Sequence, residues 1–210
     1  MLIAVLALLA AAGCVNASDH SATVDAAVRA SSGDTVSANG SIQVPQGAKC
    51  GDITTVNGSI HVGDDAAVSA AHTVNGDIRV GAHATADSLN TVNGCITLGS
   101  SARVNAAVGS VNGEIVLATA QVAGGIQTVN GDVDVRGNAH VEGGILVRRP
   151  AIRFFLWESS GPRIVIGPGA SVAGSLRFER EVRLYVSERA AIGPVTGATP
   201  IRFAGEYPSD

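Results

Sequence analysis

The stretch Val74-Asn75-Gly76-Asp77-Ile78-Arg79-Val80-Gly81 is answered eighteen residues later by Val92-Asn93-Gly94-Cys95-Ile96-Thr97-Leu98-Gly99. Working outward, Asn-Gly stands at Asn39-Gly40, Asn57-Gly58, Asn75-Gly76, Asn93-Gly94, Asn112-Gly113 and Asn130-Gly131, at intervals of 18, 18, 18, 19 and 18. Two residues past each glycine comes Ile42, Ile60, Ile78, Ile96, Ile115 or Val133, and two further on Val44, Val62, Val80, Leu98, Leu117 or Val135. That alternation is the period of a β-strand, and it sends Gln43, His61, Arg79, Thr97, Val116 and Asp134 to the opposite side. Two more apolar columns keep step. Ile53, Ala71, Leu89, Val108 and Ile126 lie four residues before the Asn, and Cys50, Val68, Ala86, Val104, Val122 and Val141 lie in mid-repeat.

Eighteen residues are too few for a propeller blade or a helical-repeat unit, which need about 33 or more. They suffice for one coil of a parallel β-helix. The expected fold is therefore all-β: a single-stranded parallel β-helix, or solenoid, with about 18 residues and three short strands per coil. Roughly eight coils stacked about 4.8 Å apart would give a rod of about 38 Å. The composition agrees: of 210 residues 46 % are hydrophobic and 26 are Gly, yet 3 % are aromatic and 15 % charged, so the core must be narrow. A net charge of -4 is of the wrong sign for a nucleic-acid binder, so no nucleic-acid partner is expected.

At the corners Asn tolerates a left-handed backbone and Gly supplies positive φ, which suits a sharp turn between strands. The asparagines and glycines quoted above are thus a candidate structural turn ladder whose amides can hydrogen-bond along the axis; the competing reading is a polar ligand surface. Further turns are expected after Val62-Gly63, Val80-Gly81 and Leu98-Gly99. Cys50 falls in an inward column, whereas Cys95 shares the outward position of Ser59, Asp77, Glu114 and Asp132, so no bridge between them is expected. The acidic members of that column are a weak calcium candidate, since Cys95 breaks the set. His61, His72, His83 and His140 occupy four unrelated positions with no partner residue to nominate, and read as solvated side chains. Catalytic, metal and cofactor-binding residues are all expected to be none.

The text changes after Val147. Arg148-Arg149-Pro150 ends the repeat, and residues 148–163 read as an inserted loop carrying Phe154, Phe155 and Trp157. All seven aromatic residues lie beyond position 150. With Arg148 and Arg149 they form either a cover folded onto the solenoid or a docking patch for a membrane or partner. Degenerate coils resume over 164–205, followed by a tail at 206–210. There Arg177, Arg180, Arg183 and Arg189 alternate with Glu179, Glu181 and Glu188, as on a solvated, salt-bridged face.

At the other end, Met1 to Ala12 is an apolar run too short to span a hydrocarbon core of about 20 helical residues, and it sits where an export signal belongs. With Gly13 and Cys14 it resembles a bacterial lipoprotein signal over residues 1–13. The resemblance implies that Cys14 is lipidated and anchors the chain to a membrane. Val15 in place of Asp implies the outer membrane. The alternative is an ordinary secretory signal. Residues 14–32 then read as a tether and 33–147 as the regular coils.

The repeats Thr73 to Ile78 and Thr128 to Val133 resemble those of bacterial adhesin-type β-strand-repeat families, and Ile164 to Gly193 resembles the polymer-forming bactofilins. Together they imply a non-enzymatic, lipid-anchored scaffold at the cell envelope, structural, adhesin-like or self-assembling, with a right-handed coil and no cofactor. The six-residue spacing of Val56, Val62, Val68, Val74 and Val80 is similar instead to hexapeptide-repeat acyltransferases, which implies an enzyme with a histidine base. A polysaccharide-binding β-helix is a further alternative.

Overall fold

The structure is a computed structural model, described over residues 22–23, 33–150 and 161–208. It is a parallel β-solenoid of about nine coils, one more than the repeat text suggests, because Ala22–Thr23 and Ile201–Phe203 add strands at the two ends. The first face is a 10-stranded parallel sheet. It runs from Ala22–Thr23 through strands such as Ile42–Val44, Ile78–Val80, Ile115–Ala118 and Arg163–Ile166 to Ile201–Phe203. The other two faces belong to one 15-stranded sheet. The second face contains Lys49–Cys50, Arg103–Val104 and Ser171–Val172; the third contains Ile53–Asn57, Val108–Ser110 and Leu176–Phe178. They merge because Ala67–Thr73 and Thr85–Thr91 run unbroken from one face to the next.

Register follows the sequence columns. Ile78 pairs with Ile60 and Ile96, Val80 with Val62 and Leu98, and the same columns continue past the repeat text through Ile164, Ile166, Leu184 and Val186. These residues are buried, as are Leu89, Val108, Ile126, Ile145 and Leu176 on the third face. A column of alanines (Ala48, Ala66, Ala84, Ala102, Ala120, Ala139, Ala170) fills the corner between the first and second faces, where a larger side chain would not fit so narrow a prism.

The single 19-residue interval has a location. Ala86 pairs with Val104 and Leu89 with Val108, so one extra residue enters the corner at Asn105, Ala106 and Ala107. The larger insertion lies elsewhere. Val133 pairs directly with Ile164, so the chain leaves after the strand Ile145–Val147 and returns at Arg163, at the same edge that carries the asparagines.

The corner chemistry differs from expectation in one respect. Left-handed φ values of 57° to 75° occur at Gly47, Asp65, His83, Ser101, Thr119, Gly137 and Gly169, which stack at the turn after the first face. None of the ladder asparagines has positive φ, and of the ladder glycines only Gly40 does (φ 124°). Glycine is needed at the ladder for another reason. A Cβ on Gly58, Gly76, Gly94, Gly113 or Gly131 would fall inside van der Waals contact of the carbonyl oxygen of the glycine one coil below. The coils approach so closely at this edge that only hydrogen fits.

Candidate functional site

The edge between the third and first faces gathers most of the sequence-predicted residues. Asn57 Nδ2 donates to Asn39 Oδ1 at 3.0 Å, Asn75 to Asn57 at 2.8 Å, Asn93 to Asn75 at 2.9 Å, Asn112 to Asn93 at 2.7 Å and Asn130 to Asn112 at 2.8 Å. All the amides point the same way, so their dipoles reinforce one another and leave a partly negative oxygen at Asn130. Arg180 meets it. Its Nη1 donates to Asn130 Oδ1 at 2.5 Å and to Val129 O at 3.1 Å. Arg180 therefore leaves the solvated Arg/Glu face expected of it and terminates the amide ladder with a full positive charge.

Behind the amides runs a buried hydroxyl column. Thr55, Thr73 and Thr91 donate to the carbonyls of Gly40, Gly58 and Gly76 at 3.3, 2.9 and 3.1 Å, and Ser110 donates to Gly94 O at 3.4 Å. Four ladder carbonyls that the tight corner removes from the β-ladder are thus met from the next coil up, whereas Thr128, the last of the column, bonds Gly131 of its own coil, donating to its O at 3.1 Å and accepting from its N at 2.9 Å. The Thr or Ser two residues before each Asn is the sequence signal for this column; it alternates with the outward-facing Val or Ala and sits on the inward side of the strand.

The column Ser41, Ser59, Asp77, Asp132 performs the complementary task. Ser41 Oγ accepts from Ser59 N at 3.3 Å, Ser59 Oγ from Asp77 N at 3.2 Å, Asp77 Oδ1 from Cys95 N at 3.0 Å and Asp132 Oδ1 from Arg163 N at 2.8 Å. Asp64 does the same for Ala82 N at 2.7 Å, on another corner. These carboxylates are used as backbone acceptors between coils, and Asp77 also pairs with Arg79 at 2.7 Å. Among the described residues no three His, Cys, Asp or Glu side chains converge as a metal site would require.

Cys50 is buried in the second-face column, and burial pushes its thiol pKa up; Cys95 is half-buried at the ladder edge. His61, His72, His83 and His140 lie respectively on the first face, the third face, the left-handed turn and the second face. His140 has a partner that sequence spacing did not reveal: its Nδ1 and Ser171 Oγ are hydrogen-bonded at 2.6 Å across neighbouring coils. The two are 31 positions apart because the insertion lies between them.

Of the inserted loop, Arg148 and Arg149 are described; Phe154, Phe155 and Trp157 lie outside the described residues, as does Cys14. Arg149 Nε donates to Glu179 O at 3.2 Å, and Arg177 pairs with Glu179 at 3.7 Å. These residues border an open cleft of about 570 Å³ with Phe178, Thr196 and Gly197. On the first face, Asp134 is ion-paired with Arg136, whose Nη1 donates to the Tyr207 hydroxyl at 2.7 Å and whose guanidinium lies 5.0 Å from the Tyr207 ring. The hydrogen bond that Arg136 donates to Asp134 raises the arginine's pKa. No helix among the described residues is long and apolar enough to cross a membrane. Comparison with protein-family models, with curated proteins and with solved structures returns no match.

Proposed function

We propose that this chain is an exported bacterial lipoprotein, tethered to the outer membrane through Cys14, whose β-solenoid serves as a rigid structural or adhesin-like scaffold at the cell envelope. The observation that carries the reading is how the edge uses its polar groups. Amides, hydroxyls and carboxylates that could have formed a reactive surface instead bond coil to coil, as a rod requires and a catalytic site does not. The apolar Met1 to Ala12 run ahead of Gly13-Cys14 supports the anchor.

Fatty-acid labelling in a bacterial host tests this directly. Label should enter the wild-type chain, fractionate with the outer membrane and be lost in Cys14→Ser. Unlabelled protein released to the medium would overturn the anchor.

A second reading, an acyltransferase-like activity, draws on the His140–Ser171 contact. Acyl-CoA turnover that disappears in His140→Ala, with unchanged folding, would replace the scaffold reading by this one.

A further inference from the structure

We propose that the C-terminal residues 204–208 form a reversible strap over the first face, fastened by Tyr207 on Arg136. The tail turns back after the last strand, Ile201–Phe203, and its Tyr207 reaches an arginine 71 positions earlier. Between that strand and the one bearing Arg136 lie the strands Arg183–Ser187 and Arg163–Ile166, so the strap descends three rungs, about 14 Å at strand spacing. The backbone bends over residues 205–207, and the contact is completed by the long side chains of Arg136 and Tyr207.

The fastening is small and sits at the surface. Tyr207 remains 59 % exposed while its hydroxyl accepts from Arg136 and its ring lies over the guanidinium; Pro208, one residue on, is buried. Two residues before Arg136, the outward-facing Asp134 is only 8 % exposed and Val165 beside it in the row 4 %, whereas Gln43 and Arg79 in the same row are exposed. Asp134 Oδ1 and Arg136 Nε are both buried without a hydrogen-bond partner. Those two atoms regain water when the strap lifts, which opposes closure. The coils do not need the strap to close their core, since Val133, Val135, Ile164 and Ile166 point inward and are fully buried. Opening therefore frees the Asp134 carboxylate and further exposes the Arg136 side chain, already 38 % exposed, beside Val116 and Val165 without unfolding the solenoid.

Arginine modification by phenylglyoxal, mapped by peptide mass spectrometry, reads the strap in the full chain, with the exposed Arg79 as internal reference. In the wild type Arg136 should react measurably but more slowly than Arg79. Tyr207→Ala should accelerate Arg136 about two- to fivefold, the change in population that losing one exposed cation–π contact produces, and Tyr207→Phe should fall between. The urea midpoint should not move in either variant. Four results would overturn the proposal: Arg136 as reactive as Arg79 in the wild type, complete protection of Arg136 in the wild type, an unchanged rate in Tyr207→Ala, or a midpoint that falls along with protection.

Discussion

The coils over residues 33–147 and those over 161–203 share one core but not one edge. Inward columns pass from the first region to the second without a break in burial: Ile115, Val133, Ile164 and Leu184 form one file, and Ile126, Ile145 and Leu176 another. The edges diverge. In the lower region the corner is Asn-Gly, stacked by amide bonds and glycine contact. In the upper region the position of Asn130 passes by register to Arg149 and then Arg180, and the chain makes its long excursion there. Charge diverges too, with five basic and twelve acidic residues before Arg148 and nine basic and six acidic from it onward. Inward packing therefore specifies the solenoid, whereas the edge is replaceable provided its polar ends are met. Arg180 meets the end of the ladder because its long side chain reaches past the interrupted coil, which an asparagine could not do.

The largest expected effect comes from the edge peculiar to the lower region. Gly113→Ala should cost about 3 kcal/mol or more in urea unfolding, because the new methyl meets backbone that cannot turn aside. Gly47→Ala, despite φ of +68°, faces open space and should cost only about 1 kcal/mol. Equal losses at the two sites would remove the close-approach account of the ladder glycines. Next come the shared columns: Leu117→Ala and Leu184→Ala should each lose about 2–5 kcal/mol, one in each region. A much smaller loss at Leu184 would show that the upper coils unfold separately.

Smaller again are the polar bonds where the regions join. Asn93→Ala and Arg180→Met should each cost about 1–2 kcal/mol. Combining Asn130→Ala with Arg180→Met should cost less than the sum of the two, since both remove the same contact; strict additivity would mean that Arg180 does not cap the ladder. The smallest effect leaves stability untouched. In Cys14→Ser at mildly alkaline pH, Cys95 should alkylate faster than Cys50, because burial raises the Cys50 pKa and so lowers its thiolate fraction as well as blocking access. Similar rates would place Cys50 outside the core.

Much of the lower region was legible because a coil of fixed length turns stacking in space into periodicity along the chain. Ile60, Ile78 and Ile96 are neighbours in the structure because they are eighteen apart in the text. The mechanism at the corner was not legible. Asn-Gly is the usual signature of a left-handed turn, and here the left-handed residues are Gly47, Asp65, His83, Ser101, Thr119, Gly137 and Gly169, a column of mixed types in which Ser101 and Thr119 do not announce it. Glycine's lack of a side chain matters at the ladder through the coil below, a contact that no local rule contains. The Thr73 hydroxyl was likewise hidden, since its inward position looks apolar by alternation and its acceptor, Gly58 O, belongs to another coil.

By itself, the order of residues determined the class of fold, the length of the coil, the inward columns and the place where regularity ends, because each is a repeat or a local alternation that survives in one dimension. Only the tertiary structure decided which contacts close the breaks in that repeat: Arg180 on Asn130, His140 beside Ser171 and Tyr207 on Arg136. Those partners are separated by 50, 31 and 71 positions, and once an insertion or a returning tail has shifted the register, sequence distance no longer reports height along the axis.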